Sequence, residues 1–186
     1  ALYYATNRWP QDFIRTFGIG YASNSWDSFS LWANGKGLDK DLMLELGLVK
    51  EKSTNDDVYD TFRGRIMIPI RDKQHRIIAF TARLLPDILA HDPNAPKYIN
   101  SSTSLIYDKS NSLFGIDVAW SATSKNGVMN LVEGAPDVMR LQVIGATNTV
   151  APLGSSWTEA QLSVLKRITN NLNIIPDCDV PKEGEH

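Results

Sequence analysis

The chain has 186 residues, 42% hydrophobic and 22% charged, with a net charge of −2, which allows one sizeable domain or two small ones with an ample apolar core. No apolar run approaches a membrane span, and no signal-peptide pattern opens the chain. The single cysteine, Cys178, excludes an internal disulfide and a zinc site built from cysteines alone, so a reducing cytoplasm is the expected compartment.

Trp9 to Phe17 reads as a short helix, with Pro10 in its first turn and Gly18 as its stop. A second helix runs near Asp39 to Leu46, with Leu42, Met43 and Leu46 apolar and Gly47 ending it. Arg65-Ile66-Met67-Ile68-Pro69-Ile70 is a strand, Asp72-Lys73-Gln74-His75 a polar turn and Arg76-Ile77-Ile78-Ala79-Phe80 the return strand. Pro69 argues for an edge position or a bulge. Residues 86–96, with three prolines, are expected to be a loop.

After residue 127 strands and helices alternate. Val128 to Val132 is a strand, Ala135 to Ile144 a helix and Thr147 to Val150 a strand. Ser156-Trp157-Thr158-Glu159 reads as a capping box opening a helix with Leu162, Leu165 and Ile168 on its buried side, and Leu172 to Ile175 is the next strand. That alternation indicates right-handed βαβ units and a parallel sheet, making the chain α/β. It begins with Ala and stops just after an Asp-rich turn, and reads as a segment of a longer protein.

Charge is unevenly spread. Residues 1–60 carry six Lys/Arg against nine Asp/Glu, residues 61–109 eight against four, and residues 110–186 five against eight. Only the central stretch could attract a polyanion by bulk charge. The acids cluster where a parallel sheet binds ligands, beyond the carboxyl ends of its strands. Glu133 ends the first strand of the alternating block, and Asp177 and Asp179 end the third. Their x-spaced pairing puts both aspartates on one side of an extended segment, and Asp137, one helical turn past Glu133, can point back to the same place. Carboxylates converging there would repel one another unless a cation neutralised them, and magnesium suits an all-oxygen set. Each acid by itself also fits an ordinary turn or first-turn helix residue. His75, His91 and His186 form no ligand spacing, and no Ser-His-Asp or Cys-His arrangement is present.

Several strings resemble, in order, the RNA-polymerase core of bacterial DnaG-type DNA primases, including phage and mobile-element versions. They are Phe17-Gly18-Ile19-Gly20-Tyr21-Ala22 followed by Trp26-Asp27, Phe62 to Asp72, Pro96-Lys97-Tyr98-Ile99-Asn100-Ser101, Leu113-Phe114-Gly115, Glu133-Gly134 with Asp137-Val138, Leu153-Gly154-Ser155, and Asp177-x-Asp179. The last groups are similar to the Toprim glutamate and DxD motifs. The resemblance implies a basic α+β N-terminal subdomain over residues 1–125 and the start of a Toprim subdomain over 126–186, truncated at its C-terminal end.

It further implies metal-dependent, template-directed synthesis of short RNA primers on single-stranded DNA from ribonucleoside triphosphates, a nucleotidyltransferase activity of replication in the nucleoid. Glu133, Asp177 and Asp179 would be ligands to Mg2+ or Mn2+, and Asp137 a ligand or its support. Arg63, Arg65, Arg71 and Arg83, with Lys97 and Lys109, would bind nucleic acid or nucleotide phosphates, and Tyr98 could stack on a base or serve as a core aromatic. The family's zinc-binding module would precede residue 1, and its region for the replicative helicase, together with further acids, would follow residue 186. Cys178 stands where the family usually has Gly, and Val180-Pro181-Lys182-Glu183-Gly184 also departs from the bacterial pattern. A Toprim nuclease or phosphodiesterase would use the same acids but has no need of the basic subdomain. A non-catalytic DNA-binding module has no need of the acids.

Overall fold

The computed structural model describes residues 1–53, 57–154 and 156–177. The chain divides into two compact units, Ala1–Lys109 and Ser110–His186.

The first unit opens with two short helices, α1 (Leu2–Thr6) and α2 (Gln11–Phe17), and Gly18 ends the second in the left-handed conformation at φ 79°. Strand β1 (Gly20–Ala22), helix α3 (Ser28–Gly35), helix α4 (Lys40–Glu45) and the hairpin β2 (Val49–Glu51)–β3 (Val58–Asp60) follow. Asp39 caps α4 by accepting from Leu42 N–H. The cap of α3 comes from far along the chain: the buried Asp60 carboxylate accepts from Phe29 N–H at 2.7 Å and Ser30 N–H at 2.9 Å.

Strands β4 (Arg65–Arg71) and β5 (Ile77–Leu84) form the expected hairpin. Asp72 builds its turn by accepting from the backbone N–H groups of Gln74 and Arg76 and from the Arg76 guanidinium. With β6 (Tyr98–Asn100) the antiparallel sheet runs β1-β4-β5-β6, so β4 is an interior strand and not an edge. Pro69 is tolerated there for a visible reason. Its partner Phe80 turns both backbone groups toward Ser101, donating to Ser101 Oγ and accepting from Ser101 N–H, so the β4–β5 ladder loses no bond at Pro69. On the other side β1 reaches only as far as Met67, and the register shifts at Ile70/Arg71 as a bulge. Ile66, Ile68 and Ile70 are all but completely buried. The stretch expected to be a loop carries helix α5 (Pro86–His91): Pro86 occupies the first turn, where its missing N–H costs nothing.

In the second unit, strands β8 (Val128–Leu131), β9 (Thr149–Pro152) and β10 (Asn171–Ile174) form the expected parallel sheet in the order β10-β8-β9. Strand β7 (Leu113–Phe114) adds antiparallel to β9. Helices α6 (Ile116–Asn126), α7 (Ala135–Val143) and α8 (Glu159–Lys166) alternate with the strands. Leu113, Ile116 and Ala119 join Met129, Leu131, Val150 and Leu165 in one core, so β7 and α6 pack with the parallel sheet. The capping box of α8 lies two residues beyond the expected place. Thr158 Oγ1 accepts from Gln161 N–H, Gln161 Oε1 accepts from Thr158 N–H, and Gln161 Nε2 donates to the Ser112 carbonyl. That start leaves Leu162 40% exposed and turns Val164, Leu165 and Ile168 inward.

Gly115, at φ 84°, joins β7 to α6, and an added Cβ would lie 2.6 Å from Val138 Cγ1 and 2.9 Å from the Thr149 carbonyl. Gly127, at φ 73°, has nothing within 4 Å. Gly115→Ala is expected to cost about 2–4 kcal/mol and Gly127→Ala only about 1 kcal/mol, because the second carries dihedral strain without a clash. Urea unfolding of both variants checks the difference.

Candidate functional site

Strands β8 and β10 are parallel neighbours in the register Val128↔Asn171 to Leu131↔Ile174, so their carboxyl ends lie side by side. The Ile175 N–H continues the ladder to the Leu131 carbonyl at 2.9 Å. Just beyond, Glu133 Oε1 accepts from the Asp177 N–H at 3.0 Å, joining the loop after β8 to the loop after β10. At the start of α7, Asp137 Oδ2 accepts from the Gly134 N–H at 3.0 Å while the Asp137 N–H donates to the Gly134 carbonyl at 3.1 Å. The Asp137 carboxyl is raised above the ordinary aspartate value, chiefly by burial and then by the negative charge of Asp177, with Glu133 adding to it and backbone hydrogen bonds opposing. Glu133, Asp137 and Asp177 therefore share one edge of the sheet. Asp179 and Cys178 lie outside the described residues.

The donors in this group are carboxylate oxygens, which suit a hard divalent cation. Among the described residues no group of three or more His, Cys, Asp or Glu side chains is close enough to enclose one. Glu133 gives one oxygen to Asp177 N–H and Asp137 gives one to Gly134 N–H.

The sequence-expected basic residues all belong to the first unit, where the sheet separates them. Arg65 is only 6% exposed, and its guanidinium donates to the carbonyls of Pro96 at 3.0 Å and Ala82 at 3.5 Å. Its pKa is lowered by burial and by the neighbouring Arg63 charge. Arg83 pairs across the sheet with Ile66 and Tyr98, whereas Arg65 pairs with Leu84, so the two arginines point to opposite faces. Arg83 donates to the Tyr98 hydroxyl at 2.8 Å, and its guanidinium lies 5.2 Å from the ring centroids of both Tyr4 and Tyr98. Arg71 lies 5.5 Å from the Phe17 ring. Lys97, just before β6, and Lys109 are exposed.

Arg63 sits 4.0 Å from the Trp26 ring centroid and 5.3 Å from that of Tyr59, and its guanidinium donates to the Asp60 carbonyl. Trp26 is 62% exposed. Neither Tyr59 nor Tyr4 stands out in the sequence, because the arginine each ring meets is set by the fold. Trp26 was visible only as part of a recognisable string.

The second unit is thus a parallel sheet with acids beyond its strand ends, where ligands of such sheets bind, and the first is an antiparallel unit whose stretch 61–109 carries eight Lys/Arg against four Asp/Glu. Residues 1–120 match the family described as DNA primase catalytic core, N-terminal domain, and the chain belongs to that family. It is similar to the DNA primase of Deinococcus radiodurans, with 37% identity over 155 residues that cover 83% of this chain and 26% of that protein. Among solved structures it is similar to the RNA polymerase domain of Mycobacterium tuberculosis primase DnaG, with a TM-score of 0.84 and 31% identity, covering 95% of this chain and 58% of that one. A DnaG primase catalytic domain bound to single-stranded DNA matches with a TM-score of 0.79 and 32% identity, over 92% of this chain and 52% of that one. The chain spans about a quarter of the length of the curated relatives it matches. Among the described residues no helix is long and apolar enough to cross a membrane.

Because the folded-state pKa of Asp137 is raised, the folded chain holds a proton there that the unfolded chain has released, so stability falls as pH rises from the unfolded value of 3.8 through the folded value. Asp137→Asn removes that loss. It is expected to stabilise the metal-free chain at pH 7 by at most about 1 kcal/mol, the scale of partly exposed charge pairs, with the gain vanishing toward pH 4. Thermal unfolding from pH 4 to 7 measures it.

Proposed function

We propose that this chain is the primer-synthesising core region of a DNA primase, working in the whole protein on single-stranded DNA with ribonucleoside triphosphates. The observation that carries the reading is the hydrogen bond from Asp177 N–H to Glu133 Oε1, which joins two distant acidic loops at one sheet edge. Membership of the primase family supports it, as does the related DnaG catalytic domain bound to single-stranded DNA.

In this reading Glu133, Asp177 and Asp179 hold Mg2+ or Mn2+, and Asp137 completes the acidic group as a ligand or its support. A divalent cation bound there supplies charge neutralisation at the transferring phosphate. Glu133 and Asp177 orient oxygen donors from two strand ends. Lys97 and Lys109, as exposed cations, contact nucleic-acid or nucleotide phosphates without reading sequence. Arg63, Arg71 and Arg83, held by neighbouring rings, add further cations on either face of the sheet, with Tyr98 beside Arg83. Arg65 fixes the segment at Pro96, immediately before Lys97. The replicative helicase is a partner of the whole protein.

The full-length parent, given ribonucleotides and a single-stranded template, is expected to make short RNA. Magnesium-dependent cutting without RNA product would point instead to a nuclease, and neither activity to a binding module. Glu133→Gln is expected to weaken Mn2+ binding by about 10- to 100-fold, measured by calorimetry. Lys97→Ala is expected to weaken single-stranded DNA binding and to reduce the slope of log affinity against log salt by about 0.7, the value for one contact to a single strand. A salt titration of binding reads that slope.

A further inference from the structure

We infer that Asp137 is a positioning residue, which braces the Glu133–Gly134 peptide by a hydrogen bond and so aims Glu133 at the loop after β10. The inference rests on the cation-site reading above and assigns the part Asp137 plays in it.

The geometry is a chain of three links. Asp137 Oδ2 accepts from Gly134 N–H at 3.0 Å, which fixes the plane of the peptide joining Glu133 to Gly134. That plane sets the backbone from which the Glu133 side chain leaves, and Glu133 Oε1 then reaches the Asp177 N–H at 3.0 Å. The first turn of α7 is thereby tied through the β8 loop to the β10 loop. Gly134 is the N-cap of α7 and has no side chain to satisfy the helix start, so the Asp137 carboxylate does the fastening from the third helical position. Pro136, ahead of Asp137, holds the turn in helical geometry.

A carboxylate that serves by its charge and one that serves as a hydrogen-bond acceptor respond differently to amidation. Asp137→Asn keeps an oxygen to receive Gly134 N–H and loses the charge, whereas Asp137→Ala loses both. Residue-resolved amide exchange by NMR on the metal-free chain is expected to show Gly134 as slow in Asp137→Asn as in the parent. In Asp137→Ala it should exchange about fivefold faster or more, within the range of one hydrogen bond. In Mn2+ titrations Asp137→Ala should bind about tenfold more weakly than Asp137→Asn, the scale of losing a residue that orients a ligand. Equal Gly134 exchange in all three proteins would overturn the brace, as would equal Mn2+ affinity of the two variants when the parent binds the metal. If the parent binds no Mn2+, the cation reading fails, while the Gly134 exchange still decides whether the brace exists.

Discussion

Parallel pairing of β8 with β10 is the constraint from which the acidic edge follows. Two adjacent parallel strands must send their loops out on the same side of the sheet, and the ladder bond from Ile175 to Leu131 holds those loops level with one another. Carboxylates on both loops are then brought together whether or not they attract, and the proton affinity of Asp137 is raised first by burial and then by the charge of Asp177. Backbone N–H groups moderate it, because Asp177 and Gly134 each donate to one oxygen of a neighbouring acid.

The first unit handles its positive charges in another way. Arg65 lies in the sheet with its guanidinium bonded to the carbonyls of Ala82 and Pro96, hydrogen bonds that make its burial tolerable. Arg63, Arg71 and Arg83 rest against aromatic rings, whose faces attract a cation. Lys97 and Lys109 are exposed.

Much of this was legible in the sequence, and the misses have physical causes. The β4–β5 hairpin could be read because strand-forming residues flank a turn whose Asp72 supplies its own hydrogen bonds. The position of Glu133 and Asp177 followed from where alternating strands end. Interior placement of β4 could not be read, since it depends on β1 pairing with Arg65–Met67 across a long stretch of chain. The start of α8 was missed because Ser156-x-x-Glu159 and Thr158-x-x-Gln161 both fit a capping box, and the bonds of Thr158 and Gln161 to Ser110 and Ser112, far along the chain, favour the second. Arg65 looked like a surface charge because the carbonyls that receive it belong to Ala82 and Pro96. Asp179, the second acid of the DxD, lies outside the described residues.

The seating of Arg63 against Trp26 and Tyr59, whose rings meet edge to face, has an energetic side. A long side chain in water samples many rotamers, and freezing one costs up to about 2 kcal/mol when a ligand must do it. Here the two rings and the Asp60 carbonyl have already frozen it. An anion arriving at Arg63 meets a charge whose direction is set beforehand, so the ordering penalty falls on folding and not on each encounter.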